Sequence, residues 1–382
     1  MDDKYIIEDD REIESFKVKT FSGFKRTDVI KAVLKSIESK KIEQVCHWTT
    51  ECIISGYIIQ LLEKLIIYSS KVICVNNPKL PSYILNKLLI LQNQINRLDI
   101  NSKNGILLLR NSQMVRNMFF DIIVTLLISP KSKKYDKYPK ININDDFKSE
   151  NIQKRLFSQM NILPDNIIKF NDPDELKIFI NEIFSLTKNE QFGYDKCCYW
   201  ILWLIKWEEL HKKNKQFFDI HERDIKEVDK KYRKNIIWIV WETIFEAMKI
   251  KKNNKIIKEI KSLFSIYTHN FTLSKRNTRL PIVFNAIAYL TNTINFNIPL
   301  RNDSILLIQS QSNVNKMFMA KKIYEQKNKN KINDSKYKKS KKKKNINVEI
   351  MEDKINIFNE VDNLFLNHPE QDSHGFSGSK VN

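Results

Sequence analysis

The stretch Phe21–Leu80, FSGFKRTDVIKAVLKSIESKKIEQVCHWTTECIISGYIIQLLEKLIIYSSKVICVNNPKL, decides how this chain reads. Its first segment sets Val29, Val33 and Ile37 at helical spacing with Leu34 beside them and Asp28, Lys31 and Lys35 between, which is one apolar stripe on a helix over 25–39. Ile42, Val45, Trp48, Thr49, Cys52 and Ile53 keep a similar period over 42–55 and stop at Gly56, the residue best suited to a left-handed helix end. A third helix, 57–75, turns Ile58, Leu61, Leu62, Leu65, Ile66, Val72 and Ile73 inward and closes on Asn76-Asn77-Pro78. Connections this short make the three helices sequential antiparallel neighbours.

Outward from this block the helical period persists. Ile84, Leu85, Leu88, Leu89 and Ile95 predict a helix over 81–97, and another near 112–129 is ended by Pro130. KSKKYDKYPKININDDF, residues 131–147, has no period and reads as a linker or exposed loop. Helices are predicted near 148–159 and 173–187, the latter with Asp172 as N-cap, Pro173 in the first position and Glu175 completing a capping box. CCYWILWLIKWEELHK and NIIWIVWETIFEAMKI are two strongly apolar blocks, and 253–267, 279–293 and 302–326 follow. With 6 Gly and 9 Pro in 382 residues, the pattern argues against a sheet of short strands. The expected fold is all-α: two successive helical arrays, a collar-like or HEAT-like bundle, with a disordered basic C-terminal tail. Its boundaries are a mobile acidic leader at 1–20, a first helical domain at 21–130, the linker at 131–147, a second helical domain at 148–326, a disordered Lys-rich segment at 327–350 and an acidic tail at 351–382. In that tail Ile355, Ile357, Phe358, Val361, Leu364 and Phe365 are spaced for a short amphipathic helix over 354–366.

Charge is unevenly placed. The net +20 includes +11 between 316 and 344, where 13 Lys face only Glu325 and Asp334, whereas 345–382 carries −5. The first 315 residues hold the remaining +14, a moderately basic body. Five cysteines (Cys46, Cys52, Cys74, Cys197, Cys198) form no CxxC pair, which fits a reducing compartment. No apolar run reaches the ~18 residues of a membrane span, and the strongest, Met118 to Ile128, contains Asp121. The acidic N-terminus has no signal-peptide core. A soluble intracellular protein without a membrane partner is expected.

Motifs of chemistry are scarce. There is no GxxxxGK[ST] phosphate loop, no HExxH, no Gly-x-Ser-x-Gly and no cluster of carboxylates spaced for two metals. His47 and Glu51 stand one helical turn apart without further ligands, and His211 and His221 lie ten apart, so no metal or cofactor is expected and no catalytic residue is assigned. Trp200, Trp203 and Trp207, and Trp238 and Trp241, could stack bases, but the apolar residues around them (Ile201, Leu204, Ile237, Ile244, Phe245) favour two packed core faces. Basic clusters recur at Lys25-Arg26, Lys40-Lys41, Lys131 to Lys140, Lys212 to Lys215, Lys251-Lys252 and Lys275 to Arg279. The candidate nucleic-acid contacts are Lys336, Lys338, Lys339, Lys341, Lys342, Lys343 and Lys344, with Lys230, Lys231 and Arg233 on the body. Such a run binds phosphates by counterion release, without sequence preference.

One resemblance attaches to the opening stretch. Lys35-Ser36-Ile37, the segment Glu43 to Trp48, Ser55-Gly56 and Asn77-Pro78 stand in the order seen in the helical collar of clamp-loader proteins. The stretch is most similar to the C-terminal helical domain of the MgsA/RarA branch of clamp-loader-like ATPases, which includes the Werner-helicase-interacting proteins. The whole sequence also resembles a family of large DNA virus proteins, some described as clamp-loader proteins. The collar resemblance covers about a sixth of the chain, and without a phosphate loop it implies a collar-like module lacking its motor. It implies a non-catalytic, replication-associated protein in which Val29, Val33, Trp48, Leu62 and Leu65 build an oligomerisation or docking module. The partners would be DNA, replication proteins or further copies of the chain, in a cytoplasmic virus factory, the nucleus or the virion. A HEAT-like scaffold in viral gene expression and a packaging protein coating nucleic acid are the alternatives.

Overall fold

The computed structural model describes residues 5–98, 104–214, 219–303 and 305–337, and all regular structure among them is helical apart from a single bridge between Lys19 and Lys25. The opening stretch forms α1 (Arg26–Glu38), α2 (Ile42–Ile54) and α3 (Ile58–Tyr68). Gly56 turns the corner between α2 and α3 at φ 76°, where an added Cβ would lie 2.8 Å from Leu107 and 2.9 Å from Ile13. The third helix does not run to residue 75. Ser69–Ile73 widens into a π turn and Cys74–Asn76 closes as a 3-10 turn; Cys74 sits at φ 50°, and its thiol donates to the Asn285 side-chain oxygen at 3.0 Å.

After α4 (Leu80–Arg97) and α5 (Gly105–Leu108) comes α6 (Gln113–Ile128), whose N-cap Ser112 accepts from the Val115 amide. Two short helices, α7 (Ile143–Asp146) and α8 (Ser149–Arg155), lead to α9 (Leu176–Leu186) and α10 (Gly193–Lys213). Asn235 and Asn253 cap α11 (Ile236–Lys251) and α12 (Asn254–Thr268), and α13 (Leu273–Thr278), α14 (Leu280–Thr291) and α15 (Ile305–Tyr337) complete the order.

One hydrophobic cluster runs through both arrays. α4 lies against α12, α14 against the π turn, and α15 folds back onto α6 and α2. Polar contacts stitch the same seam: the Tyr289 hydroxyl donates to the Pro78 carbonyl at 2.9 Å, and the Asn77 amide to the Leu300 carbonyl at 3.0 Å. A solenoid repeat touches only its neighbours; here helices far apart in sequence share the core.

Several sequence expectations change. From Tyr5 onward the leader is docked, not loose: Ile7 and Phe16 are buried, and Ile7 exchanges two hydrogen bonds of 3.0 Å with the Asn111 side chain. Its acids meet cations of the body, Glu8 facing Lys322 at 2.8 Å. The 131–147 segment lacks regular structure until α7, yet it is packed down at two tyrosines: Tyr135 is buried edge-on against Tyr194, and Tyr138, partly buried, tilts against Phe284. Asp172 does not cap a helix. α9 begins only at Leu176, because the Asp172 carboxylate is claimed by the Arg223 guanidinium and by the amides of Lys169 and His221. α15 continues to Tyr337, eleven residues past its expected end at 326, with no Gly or Pro to stop it. No helix among the described residues is long and apolar enough to cross a membrane.

Candidate nucleic-acid interface

The Lys-rich run leaves the body on α15, so the anchoring of that helix comes first. Ser310, Val314, Met317, Phe318, Lys321, Lys322 and Glu325 are buried and fall on one face at helical spacing. Phe318 carries the Arg116 guanidinium 3.8 Å above its ring, and that fully buried arginine also donates to the carbonyls of Arg110 and Tyr5. Burial pushes Arg116 down to about 10, which still leaves it charged at neutral pH.

One turn further, the Lys321 ammonium enters the body and meets the Glu51 carboxylate of α2, which is wholly buried. Glu51 also accepts from the Ser22 amide and hydroxyl, each at 2.7 Å, and Lys321 donates to the Ser22 hydroxyl at 3.0 Å. Burial alone would raise the Glu51 carboxyl, but the Lys321 charge and the hydrogen bonds from Lys321, Thr20 and Ser22 outweigh it and hold it well below the usual carboxylate range. His47, one turn earlier on α2, is pushed far below its ordinary value by burial and then by the Lys321 charge, so it is neutral at pH 7. Lys322, beside it, bridges Glu8 of the leader and Glu325. The stem of α15 is therefore keyed to α2, α6 and the leader by charge as well as by apolar contact.

Beyond that stem, Lys336 lies in the last turn of α15, while Lys338, Lys339, Lys341, Lys342, Lys343 and Lys344 lie outside the described residues. The other three candidates sit far along the chain on the turn between α10 and α11. Lys230 and Lys231 are exposed; Lys231 lies 3.6 Å from Asp229, and Arg233 lies 3.9 Å from Glu222 and 3.8 Å from Asp224. Acids thus alternate with these bases and lower the potential they offer a polyanion.

Of the assembly residues, Val29, Val33, Leu62 and Leu65 are buried. Trp48 is not fully inside: it packs edge-on to Phe24 at 5.3 Å and stays half-buried, because Thr49 and His47 take the inner positions of that turn. The tryptophans of the second array are core. Trp200, Trp203, Trp238 and Trp241 are each 2% exposed or less, and Trp203 and Trp238 donate their indole N–H to the Asp146 and Tyr232 carbonyls. Of these, only Trp207 is partly open, stacked on Trp203 and tilted against His211. Burial leaves Trp200, Trp203, Trp238 and Trp241 no open face on which a base could stack.

The polar centres that sequence reasoning passed over are buried ion pairs. Arg223 bridges Asp172 and Glu242, Arg276 meets Glu208, and Asp121 gathers Arg301, Lys87 and the Tyr83 hydroxyl. Lys321 had a legible signal, since it continues the Val314, Met317, Phe318 stripe at helical spacing. All five cysteines are buried free thiols, and among the described residues no three His, Cys, Asp or Glu side chains converge as metal ligands. No protein-family model, no curated protein and no solved structure matches this chain.

Proposed function

We propose that this chain is a non-catalytic helical module that holds a basic arm against DNA without sequence preference, and docks in a replication-associated assembly as the collar resemblance of residues 21–80 implies. The observation that carries the DNA contact is the keyed stem of α15. The helix is fastened by Lys321 to the buried Glu51, and the chain then passes into a run with seven lysines between 336 and 344. A rigid anchor followed by dense positive charge suits phosphate-backbone binding, in which each neutralised phosphate releases counterions.

The test is duplex and single-stranded DNA binding by the full chain, read by fluorescence anisotropy over a series of salt concentrations. Replacing the seven lysines with glutamine should abolish most of the affinity. Unchanged binding would refute the basic-arm reading. Light scattering and recovery of polymerase, clamp or loader subunits from infected cells test the docking part; a monomer that recovers none of them counts against it.

A further inference from the structure

Residues 249–261, KIKKNNKIIKEIK, hold six lysines against one acid. On folding, the two at the end of α11 meet acids: Lys249 pairs with Glu246, and Lys251 lies 3.5 Å from Glu190. The other four do not. Lys252, Lys255, Lys258 and Lys261 are exposed, and among the described residues no carboxylate lies within ion-pair distance of any of them.

The packing of α12 produces this ridge. Ile256, Ile260, Leu263 and Ile266 turn into the core at helical spacing, so the exposed residues of the helix are Asn254, Lys255, Lys258, Lys261 and Ser265. Glu259, the one acid of α12, is buried and accepts from the Ser82 amide at 2.8 Å and the Ser82 hydroxyl at 2.9 Å. The Lys255 ammonium stands 5.9 Å from the Phe296 ring, in a 292–300 loop that carries no charged residue. Helix stability does not account for the arrangement. Cations oppose the macrodipole near a helix N-terminus and complement it near the C-terminus, yet α12 places Lys255 in its first turn, with no acid there, and has no base in its last turn.

The chemistry of the ridge selects its partner. Lys255 to Lys261 rise about 9 Å along the helix axis, and a duplex carries one charge per about 1.7 Å of its own axis, so the ridge faces several phosphates at once. A helix lying on a membrane surface needs apolar residues beside its cations, and none of the exposed residues of α12 is apolar.

We propose that the outer face of α12, with Lys252 at its head, is a second contact for the phosphate backbone of duplex DNA, separate from the lysine run at 336–344. The inference rests on the DNA-binding reading above and extends it from the arm to the body. Its test keeps the two apart.

Anisotropy of a labelled duplex over a salt series, with the full chain and its seven arm lysines intact, is the first measurement. Glutamine at Lys252, Lys255, Lys258 and Lys261 changes helix propensity little and should reduce the slope of log Kobs against log salt by up to about 3.5. Glutamine at four scattered exposed lysines, Lys31, Lys154, Lys177 and Lys226, removes the same net charge and should leave the slope nearly unchanged. A ridge variant that matches the parent, or a scattered variant that loses as much as the ridge variant, would overturn the proposal. Full affinity in the seven-lysine arm variant beside a weakened ridge variant would refute the arm and support the ridge; a parent chain that binds no duplex would overturn both. Lysine acetylation read by mass spectrometry, with and without duplex, is the second measurement. The four ridge lysines should be protected severalfold more than the scattered four, and equal labelling of the two sets would overturn the proposal.

Discussion

The Lys321 ammonium meets the Glu51 carboxylate across 270 positions of sequence, and both side chains are buried. The pair joins α15 to α2, and through Ser22 to the turn before α1, so one contact ties together the two ends of the described chain. Removing one partner leaves an uncompensated charge inside the core, which costs about 3–5 kcal/mol. Lys321→Met should therefore lower the urea midpoint followed by circular dichroism far more than Lys316→Met, whose position on α15 is exposed. Pairing Lys321→Met with Glu51→Leu should recover part of the loss, since a buried ion pair is often replaceable by apolar groups.

The same site sets an acid limit. Glu51 titrates below its ordinary 4.5 when folded, so its contribution is complete above 4.5 and is lost as pH falls through the folded value. His47 and His269 are also held below their ordinary 6.5, chiefly by burial. Below 6.5 the unfolded chain takes up those protons first, so stability declines as the solution is acidified from that point. Both effects have one sign, and neither removes stability between pH 7 and 8. The unfolding free energy should fall on acidification from pH 6.5, and His47→Gln should reduce that slope by up to about 1.4 kcal/mol per pH unit. Urea titrations at half-unit pH steps check this.

The charge pattern predicts unequal effects on DNA affinity. If all seven lysines between 336 and 344 neutralise phosphates, their replacement should reduce the slope of log Kobs against log salt by up to about 6 on duplex DNA. Lys230→Ala with Lys231→Ala should change affinity little, because Asp229, Glu222 and Asp224 crowd that turn. A larger effect at 230 and 231 than in the 336–344 run would move the interface onto the body.

Burial of the tryptophans makes a separate optical prediction. Trp200, Trp203, Trp238 and Trp241 should resist acrylamide, and saturation with single-stranded DNA should leave their emission unchanged. Trp238→Ala removes a wholly buried ring that packs against Tyr267 and Phe271 and should cost about 3–5 kcal/mol. Strong quenching by DNA would contradict a purely structural role for these residues.

Local pattern carried the helices of this fold well because they obey a single period: Val29, Val33 and Leu65 are inside where their spacing placed them, and Gly56 turns the corner at positive φ. What it could not carry were partners distant in sequence. Asp172-Pro173-Asp174-Glu175 has every local mark of a helix start, yet Arg223, 51 residues on, takes the Asp172 carboxylate and delays the helix. The acidic leader looked solvated because its docking depends on Asn111, Arg116 and Lys322, none of them near it in sequence. The interface candidates are half visible for the same reason: a lysine run declares itself, whereas the acids around Lys231 and Arg233 neutralise charge only once the turn is folded.

Gly193 offers the sharpest test of how closely the second array is packed. It opens α10, where alanine would be favoured over glycine by up to about 1 kcal/mol on helix propensity alone. A Cβ at this position, however, would lie 2.3 Å from the Leu186 carbonyl oxygen and 3.1 Å from the Thr291 methyl. The first of these is backbone at the end of α9, which cannot move aside without shifting the helix that packs on α10. Overpacking of this kind costs about 1–3 kcal/mol, enough to reverse the propensity gain. Gly193→Ala should therefore lower the thermal midpoint, while Asn254→Ala, at the exposed first position of α12, should leave it nearly unchanged. A Gly193→Ala chain as stable as the parent would mean that α9 and α10 are spaced more loosely than this contact requires.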